Sequence, residues 1–424
     1  AALRALRRRA LDRFAELGFP TTKQEDWRFT NVAPIARGSF ARVQETPAVT
    51  PAQIAPFTFD AAARLTFVDG RFAPGLSHVG DMPAGTVIGS LAEALERADL
   101  PGYLLDHLGR HASFERQPFV ALNTAFLRDG ALLWVPRGAV VPGPVHVLYL
   151  STGRPVDGHP AVTFPRNLIV AGESSQLTVV ETYQALALGD GPAFACGVTE
   201  VTVGANAVVD HYKVQRESRE AFHVATFQLH QERSSAFSSH SISLGGALVR
   251  NDVNAVLDGE GADSILNGLY MIGGQQFVDF HMRVEHAKAH CTSHELFKGI
   301  LDGRARSVFN GLIHVHRGAQ KTDAKQSNRN LLLSKEAIAN SNPQLEIYAD
   351  DVRCTHGSTV GQLDDDAVFY LRSRGIGEEA ARSLLTYAFA SDIVERIKVE
   401  AVRHDLEEFL FTALPKGDVV RQAV

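Results

Sequence analysis

Residues 130–348 contain no run with the apolar spacing of a long helix. Short apolar and β-branched runs, such as 177–180 and 198–203, instead alternate with turns rich in glycine, asparagine, aspartate and serine. Parallel sheets of the βαβ type need a crossover helix between strands, so this stretch disfavours them. A recurrent unit of turn plus strand favours a parallel β-helix, a solenoid in which each coil buries its inward side chains against its neighbours.

The turns that lead into these strands recur at uneven intervals. Their glycines are Gly172, Gly204, Gly261, Gly303 and Gly318. Because the period is irregular, a β-sandwich or a cupin-like barrel stays open as a competing fold. We predict a mainly β protein with a β-helix core over residues 130–363.

The region before this core, residues 1–129, is predicted to be mainly helical. An Arg-rich amphipathic helix runs to Leu17 and ends at Gly18. Another helix begins at Pro118, and Ser90 starts a short one with the spacing of a capping box. An Asp–Gly turn within residues 65–72 predicts a hairpin, and the turn-rich stretch 18–31 predicts a docking loop with aromatic anchors at Trp27 and Phe29.

The region after the core, residues 364–424, is predicted to be a helical domain. Asp364 is the predicted N-cap of the first helix, which ends at Gly375. A second helix is predicted from Glu378 and a third over about 391–410. Such a domain closes one end of a solenoid or docks a partner.

Cys354 and His356 lie at the seam between core and helices, two residues apart at the end of an alternating apolar run. In a strand, alternate residues share one face, so the thiol and the imidazole would lie on the same side. Gly357 and Gly361 are predicted to break the strand. Thiolate and imidazole both bind iron, and the competing interpretation is a buried thiol beside a hydrogen-bonded imidazole.

Two other histidine groups are weaker candidates for metal sites. His286, His290, Cys291 and His294 have the spacing of ligands on a helix, but the surrounding strand pattern argues against a helix there. His314 and His316 share a strand face, which we interpret as a solvent-facing ladder. Cys196 and Cys291 are predicted to be core residues. Three scattered cysteines do not supply the roughly four thiolates of an ordinary iron–sulfur cluster, so no tightly bound cofactor is expected.

Charge and hydropathy exclude several classes of function. The net charge is −6 with no basic stripe, which argues against nucleic-acid binding. No run reaches the roughly 18 apolar residues of a membrane span. Cysteines without a C-x-x-C pair fit a reducing compartment, so we expect a cytoplasmic protein.

Three motifs resemble the SufB/SufD family of iron–sulfur cluster assembly subunits. Gly18-Phe-Pro-Thr-Thr-Lys-Gln-Glu-Asp-Trp-Arg-Phe-Thr-Asn31 resembles the N-terminal signature of the SufD branch. Two further stretches resemble the C-terminal core of both branches: Asn342-Pro-Gln-Leu-Glu-Ile-Tyr-Ala-Asp-Asp-Val-Arg-Cys-Thr-His-Gly-Ser-Thr-Val-Gly-Gln-Leu-Asp364 and Phe369-Tyr-Leu-Arg-Ser-Arg-Gly-Ile376. The resemblance covers essentially the whole chain.

The resemblance implies a right-handed parallel β-helix flanked by helical regions and a non-catalytic scaffold role. It implies pairing with a SufB-like paralogue through the β-helices and docking of the SufC ATPase on the C-terminal helices. His356, with Cys354 beside it, would lie at the SufB–SufD interface, where it would hold iron transiently or contact a nascent cluster shared with SufB. No G-x-x-x-x-G-K-[ST] motif of an ATPase occurs in this chain.

Other functions stay open on the residues alone. A β-helix could belong to a carbohydrate-active lyase or hydrolase, although those enzymes are usually exported and we expect no signal peptide here. A cupin-like metal enzyme would need a closed set of histidine and carboxylate ligands, and no convincing spacing provides one. A homodimer of the isolated chain is also open, because the strand edge that would meet SufB could pair with itself.

Overall fold

The computed structural model describes residues 2–45, 48–97, 101–186 and 191–423. It is mainly β and contains a parallel β-solenoid of about 7 turns, flanked by N-terminal and C-terminal helices. The predicted fold class is therefore confirmed, and the sandwich and barrel alternatives are excluded by the parallel pairing of every long strand.

The N-terminal region mixes helices with short strands. The helices are α1 (Ala2–Leu17), α2 (Ala33–Arg37), α3 (Pro51–Ile54), α4 (Leu91–Glu96), α5 (Pro101–His107) and α6 (Pro118–Phe126). The strands are β1 (Ala41–Arg42), β2 (Ala63–Val68), β3 (Arg71–Phe72), β4 (His78–Val79) and β5 (Val87–Ser90). The predicted hairpin is the antiparallel pair β2–β3. The predicted cap is also present, because Ser90 Oγ accepts a hydrogen bond from the Glu93 amide at 3.2 Å.

The solenoid is built by strands that alternate between two parallel sheets. The strands of the core are β6 (Ala131–Val135), β7 (Val140–Ser151), β8 (Ala161–Thr163), β9 (Arg166–Ala171), β10 (Gln176–Ala185), β11 (Phe194–Val203), β12 (Val208–Arg216), β13 (Phe222–Gln231), β14 (Ala236–Ser243), β15 (Leu248–Leu257), β16 (Asp263–Ile272), β17 (Phe277–His286), β18 (Thr292–Leu301), β19 (Arg306–Val315), β20 (Asp323–Leu332), β21 (Ile338–Ile347) and β22 (Arg353–Gly361). One sheet has the order β21-β19-β17-β15-β13-β11-β9-β6-β5, and the other β22-β20-β18-β16-β14-β12-β10-β7-β2-β3.

The corners of the solenoid explain the uneven spacing of its glycines. One corner is a stack of residues with positive φ, in which each backbone amide donates to a carbonyl of the next coil: Ser174, Asn206, Ser234, Gly261, His290 and Lys321. Only Gly261 in this stack is a glycine, and Gly303 belongs to the opposite corner, next to Gly274. The structural repeat is therefore regular, whereas the residue type that fills the left-handed position varies.

The interior of the solenoid combines apolar side chains with a buried ionic network. Lys213 Nζ lies 2.9 Å from His223 Nε2 and 2.8 Å from Asn251 Oδ1. His223 Nδ1 lies 2.8 Å from Glu217, and His211 Nε2 lies 3.2 Å from Glu181. Burial favours the neutral form of Glu181, but the hydrogen bond and charge of His211, with Lys213 nearby, lower the pKa of Glu181 to about 2.

The C-terminal domain comprises α7 (Asp365–Ser373), α8 (Glu378–Val394), α9 (Glu400–Ala413) and α10 (Gly417–Ala423). Asp364 caps α7 as predicted, because its side chain accepts from the Asp366 amide at 2.9 Å. The predicted helix over 391–410 is wrong at its start: α8 continues through Ser391, since Ile393 and Val394 pack against the second sheet. No described helix is both long and apolar enough to cross a bilayer.

The loop of residues 18–31 packs against the outer face of the first sheet through Trp27 and Asp26. Arg250 is buried, and its guanidinium carbon lies 3.7 Å from the ring centroid of Trp27. Arg250 also donates to Asp279 at 2.7 Å and to the Asp26 carbonyl at 2.8 Å. The predicted anchor at Trp27 is confirmed, whereas Phe29 is 48% exposed and anchors nothing.

Candidate functional site

The solenoid ends in two strands whose outer edges are open. β22 pairs with β20 and β21 pairs with β19, and within the described ranges neither has a strand on its other side. Nearly all of β22 is exposed, and apolar side chains at this end remain accessible, including Ile347, Tyr348 and Val360. An open strand edge is a template for pairing with another chain.

β22 does not break at its glycines. Gly357 pairs with Ser327 and Gly361 pairs with Leu331, so the predicted interruption is wrong. Neither glycine has a positive φ, and both therefore adopt extended backbone as any residue could. β22 therefore runs without interruption through Cys354 and His356.

Cys354 and His356 share the inward face of β22. Their partners in β20 are Ala324 and Gln326, both buried, and residues paired in parallel register lie on the same face of the sheet. Cys354 is half-buried and packs with Ile313 and other apolar residues of the last coil. Burial raises the pKa of the Cys354 thiol, with a smaller contribution from Asp323, so the protonated thiol predominates near neutral pH.

His356 is inward-facing yet exposed, because no coil follows to cover it. An accessible imidazole with an ordinary lone pair can bind a metal ion or accept a proton. Within the described residues, no three His, Cys, Asp or Glu side chains are grouped to hold a metal. His356 and Cys354 place two side chains of metal-binding type on one face of β22.

A column of polar side chains continues from His356 into the core. Gln326 lies one coil below His356, and its Nε2 donates to Glu295 Oε2 at 2.8 Å. Glu295 is buried, and burial raises its pKa to about 7 despite the opposing effect of this hydrogen bond. Gly311 makes room for the amide, since a Cβ there would lie 2.4 Å from Gln326 Nε2. No sequence motif marks Glu295 or Gln326, because only the strand register connects them to His356.

The two weaker histidine groups do not converge on a site. His286 ends β17 and Cys291 precedes β18, which confirms that no helix joins them. His286 Nε2 lies 2.8 Å from Ser293 Oγ, and Cys291 Sγ donates to the Gly259 carbonyl at 3.2 Å. Cys196 is also buried, so the predicted core role of both cysteines is confirmed.

His314 and His316 form an outward-facing ladder with carboxylates on adjacent strands. Their ring centroids are 4.7 Å apart, edge to face. His314 Nδ1 lies 2.8 Å from Glu346, and His316 Nε2 lies 3.5 Å from Glu285. Each imidazole already has a partner, as expected for a ladder on the surface of a sheet.

Comparison with known proteins covers both halves of the chain. Residues 1–147 match the SufBD protein N-terminal region, and residues 154–389 match the SufBD core domain of the SUF system for FeS cluster assembly. The chain is 33% identical over 412 residues to the iron–sulfur cluster assembly SufBD family protein slr0076 of Synechocystis sp., covering 95% of this chain and 89% of that protein.

Two proteins named SufD are also similar. The iron–sulfur cluster assembly protein SufD of Escherichia coli is 32% identical over 407 residues, which are 96% of this chain and 92% of that protein. SufD of Bacillus subtilis is 28% identical over 423 residues, with the same two coverages. The two family regions, and the relatives that align over nearly the whole chain, agree with the resemblance of residues 18–31 and 342–364. The chain therefore belongs to the SufBD family.

Proposed function

We propose that this chain is a non-catalytic scaffold subunit that assembles nascent iron–sulfur clusters together with a SufB-like paralogue and a SufC-type ATPase. The proposal extends the function of its relatives, which are named as iron–sulfur cluster assembly proteins. The chain would act in the cytoplasm, where free thiols such as Cys354 persist. Iron and sulfide would be its cargo, bound transiently.

The observation that carries this proposal is the open edge of β22 with Cys354 and His356 on it. A SufB-like solenoid has the same architecture by family resemblance, so strand-to-strand pairing would extend both sheets across the two proteins. β22 is better suited to this than β21, since Pro343 in the middle of β21 has no amide hydrogen to donate. Pairing would bring side chains of the second protein next to His356 and complete a ligand set of which His356 and Cys354 are part.

The ATPase would dock on the C-terminal helices. Phe369 and Tyr370 on α7 are 70% and 55% exposed, and large aromatic side chains of this kind are frequent anchors at protein interfaces. α7 directly follows β22, so an ATPase bound there would sit close to the candidate site. A movement of the ATPase on nucleotide binding or hydrolysis would then be transmitted to His356 through the short segment between β22 and α7.

Co-purification tests the proposal. The tagged chain is co-expressed with a SufB-like and a SufC-like protein, and the complex is isolated anaerobically for analysis of subunits, iron and sulfide. We expect a ternary complex that contains cluster, and a Phe369→Ser/Tyr370→Ser variant that loses the ATPase and keeps the paralogue. Val419→Ser, at a 42% exposed apolar residue on α10, is the matched control. Turnover of a small substrate by the isolated chain, without partners, would contradict the scaffold role.

A further inference from the structure

Three arginines that are far apart in sequence converge at the N-terminal end of the molecule. Arg7 lies on α1, Arg42 on β1, and Arg128 shortly after the end of α6. Helices α1 and α6 pack together, and the guanidinium carbon of Arg42 lies 5.1 Å from the ring centroid of Phe126, the last residue of α6. We call Arg7, Arg42 and Arg128 the arginine cluster.

None of the three arginines of the cluster forms an ion pair in the described part of the chain. No described carboxylate lies within the 4.0 Å ion-pair distance of any of their guanidinium groups. Other arginines of α1 are paired, since Arg8 lies 3.7 Å from Asp12 and Arg13 lies 2.6 Å from Glu16. Burial, followed by repulsion from Arg128 and Arg42, lowers the pKa of Arg7.

The nearest acidic side chains do not neutralise the cluster. Asp129 follows Arg128, but its carboxylate accepts from Ser90 Oγ at 2.8 Å and from the amides of Gly130 and Ala92 at 2.8 and 3.1 Å. Asp129 and Glu45 act on the neighbouring Arg71, which donates to the Gln44 carbonyl. Arg71 therefore lies next to the arginine cluster but is not counted in it, because Asp129, Glu45 and the Gln44 carbonyl already stabilise its charge.

Arg7 supplies a second, independent observation. Its Nε is buried and has no hydrogen-bond partner among the described residues. A buried donor without a partner costs about 1–3 kcal/mol, so such atoms in folded proteins are normally satisfied by a ligand or by water. A folded arrangement that brings three like charges together and leaves this donor open is stabilised by an anion.

We propose that the arginine cluster binds a phosphate-type oxyanion. Guanidinium groups match phosphate oxygens with paired, charge-assisted hydrogen bonds, and a tetrahedral dianion can accept from several of them at once. A small ligand is favoured over an acidic protein surface, because the open donor Arg7 Nε is buried, where a broad protein surface could not reach it. The rest of the chain is net negative, so the site is a local feature.

Thermal unfolding of the purified chain tests this site. Sodium orthophosphate and a simple phosphomonoester, glycerol 3-phosphate, are each titrated against sodium chloride at matched ionic strength, and binding is measured by isothermal titration calorimetry. We expect phosphate to raise Tm more than chloride does. Tighter binding of orthophosphate would identify a free-ion site, and tighter binding of the ester would identify a site for a phosphorylated metabolite.

Two variants of the arginine cluster and one control variant make the test specific. Arg42→Gln and Arg128→Gln, both at exposed positions, are expected to lower phosphate affinity at least tenfold and to raise Tm in chloride, because like-charge repulsion is relieved. Arg8→Gln removes a paired arginine of the same helix and is expected to leave phosphate binding unchanged. Equal stabilisation by phosphate and chloride, or phosphate binding that survives in both cluster variants, would overturn the proposal.

Discussion

His356 stands directly above Gln326 in the strand register, and Gln326 holds the buried carboxyl of Glu295 at 2.8 Å. One polar column therefore joins the open end of the solenoid to an ionisable group inside its core. The three residues lie on three successive strands of one sheet, β18, β20 and β22. A substitution at the buried Glu295 can therefore be tested separately from a substitution at the exposed His356. Glu295 provides the first prediction.

Glu295→Gln is expected to stabilise the protein at pH 8 and to have little effect at pH 5. Burial raises the Glu295 pKa to about 7 from its ordinary 4.5, so the folded chain binds this proton more tightly than the unfolded chain does. The resulting stability is fully present below about pH 4.5 and is lost as the pH rises through 7, a loss of about 3 kcal/mol. Glutamine stays neutral at both pH values, so Glu295→Gln removes this loss of stability.

Urea denaturation at the two pH values measures this difference. Glu336→Gln, at a carboxylate that is 72% exposed and 4.0 Å from Arg304, is the control and should show no such pH dependence. The same change in unfolding free energy at pH 5 and pH 8 for Glu295→Gln would show that the carboxyl is not titrating in this range.

Lys213→Met is expected to destabilise the protein by about 3–5 kcal/mol, because it breaks a buried ionic network and leaves carboxylates without compensation. Lys213 is buried beside Glu181 and Glu217, and burial lowers its pKa to about 8 against their attraction.

The control for Lys213→Met is Lys398→Met, with the free energy of unfolding measured for both variants. Lys398 also contacts a carboxylate, Asp210 at 3.0 Å, but its side chain is 68% exposed. We expect a loss of less than about 1 kcal/mol there, and equal losses in the two variants would argue against a buried network.

Trp27→Ala is expected to destabilise the protein by about 3–5 kcal/mol, through lost packing and lost stacking on Arg250. Phe29→Ala removes an aromatic ring from the same motif at an exposed position, and should cost less than about 1 kcal/mol. Chemical denaturation gives both values. Limited proteolysis should then show earlier cleavage near residues 18–31 only in the Trp27 variant, and cleavage at the same rate in both would contradict the anchor.

Local signals predicted most of the fold, whereas long-range register decided the site. The Asp–Gly hairpin, the caps at Ser90 and Asp364, and the strand texture depend on neighbours within a few residues, and the structure confirms them. The corner positions at Ser234 and His290 carry no glycine, so a search for glycines missed the repeat. Glu295, Gln326 and His356 are far apart in sequence and are brought together only by the parallel register of β18, β20 and β22, which no local pattern reports.

His356→Ala is expected to leave the fold and the complex intact while lowering iron and sulfide content severalfold. The imidazole is exposed at the end of the solenoid and contributes little packing, yet its neutral form offers a lone pair to iron. Cys354→Ala should have a milder effect, because the thiol is half-buried, its pKa is raised, and a small apolar side chain can replace it.

The measurement is iron and sulfide per complex after anaerobic purification, with subunit composition determined on the same samples. His290→Ala is the matched control, since His290 is 58% exposed on the same solenoid but lies on a corner away from the open end. Its positive φ of 60° makes alanine there slightly strained, so its unfolding temperature is recorded as well. Cluster content at the wild-type level in the His356 variant, with all subunits present, would assign the imidazole a purely structural role. A loss in the His356 variant that is absent from the His290 variant would place cluster chemistry at β22.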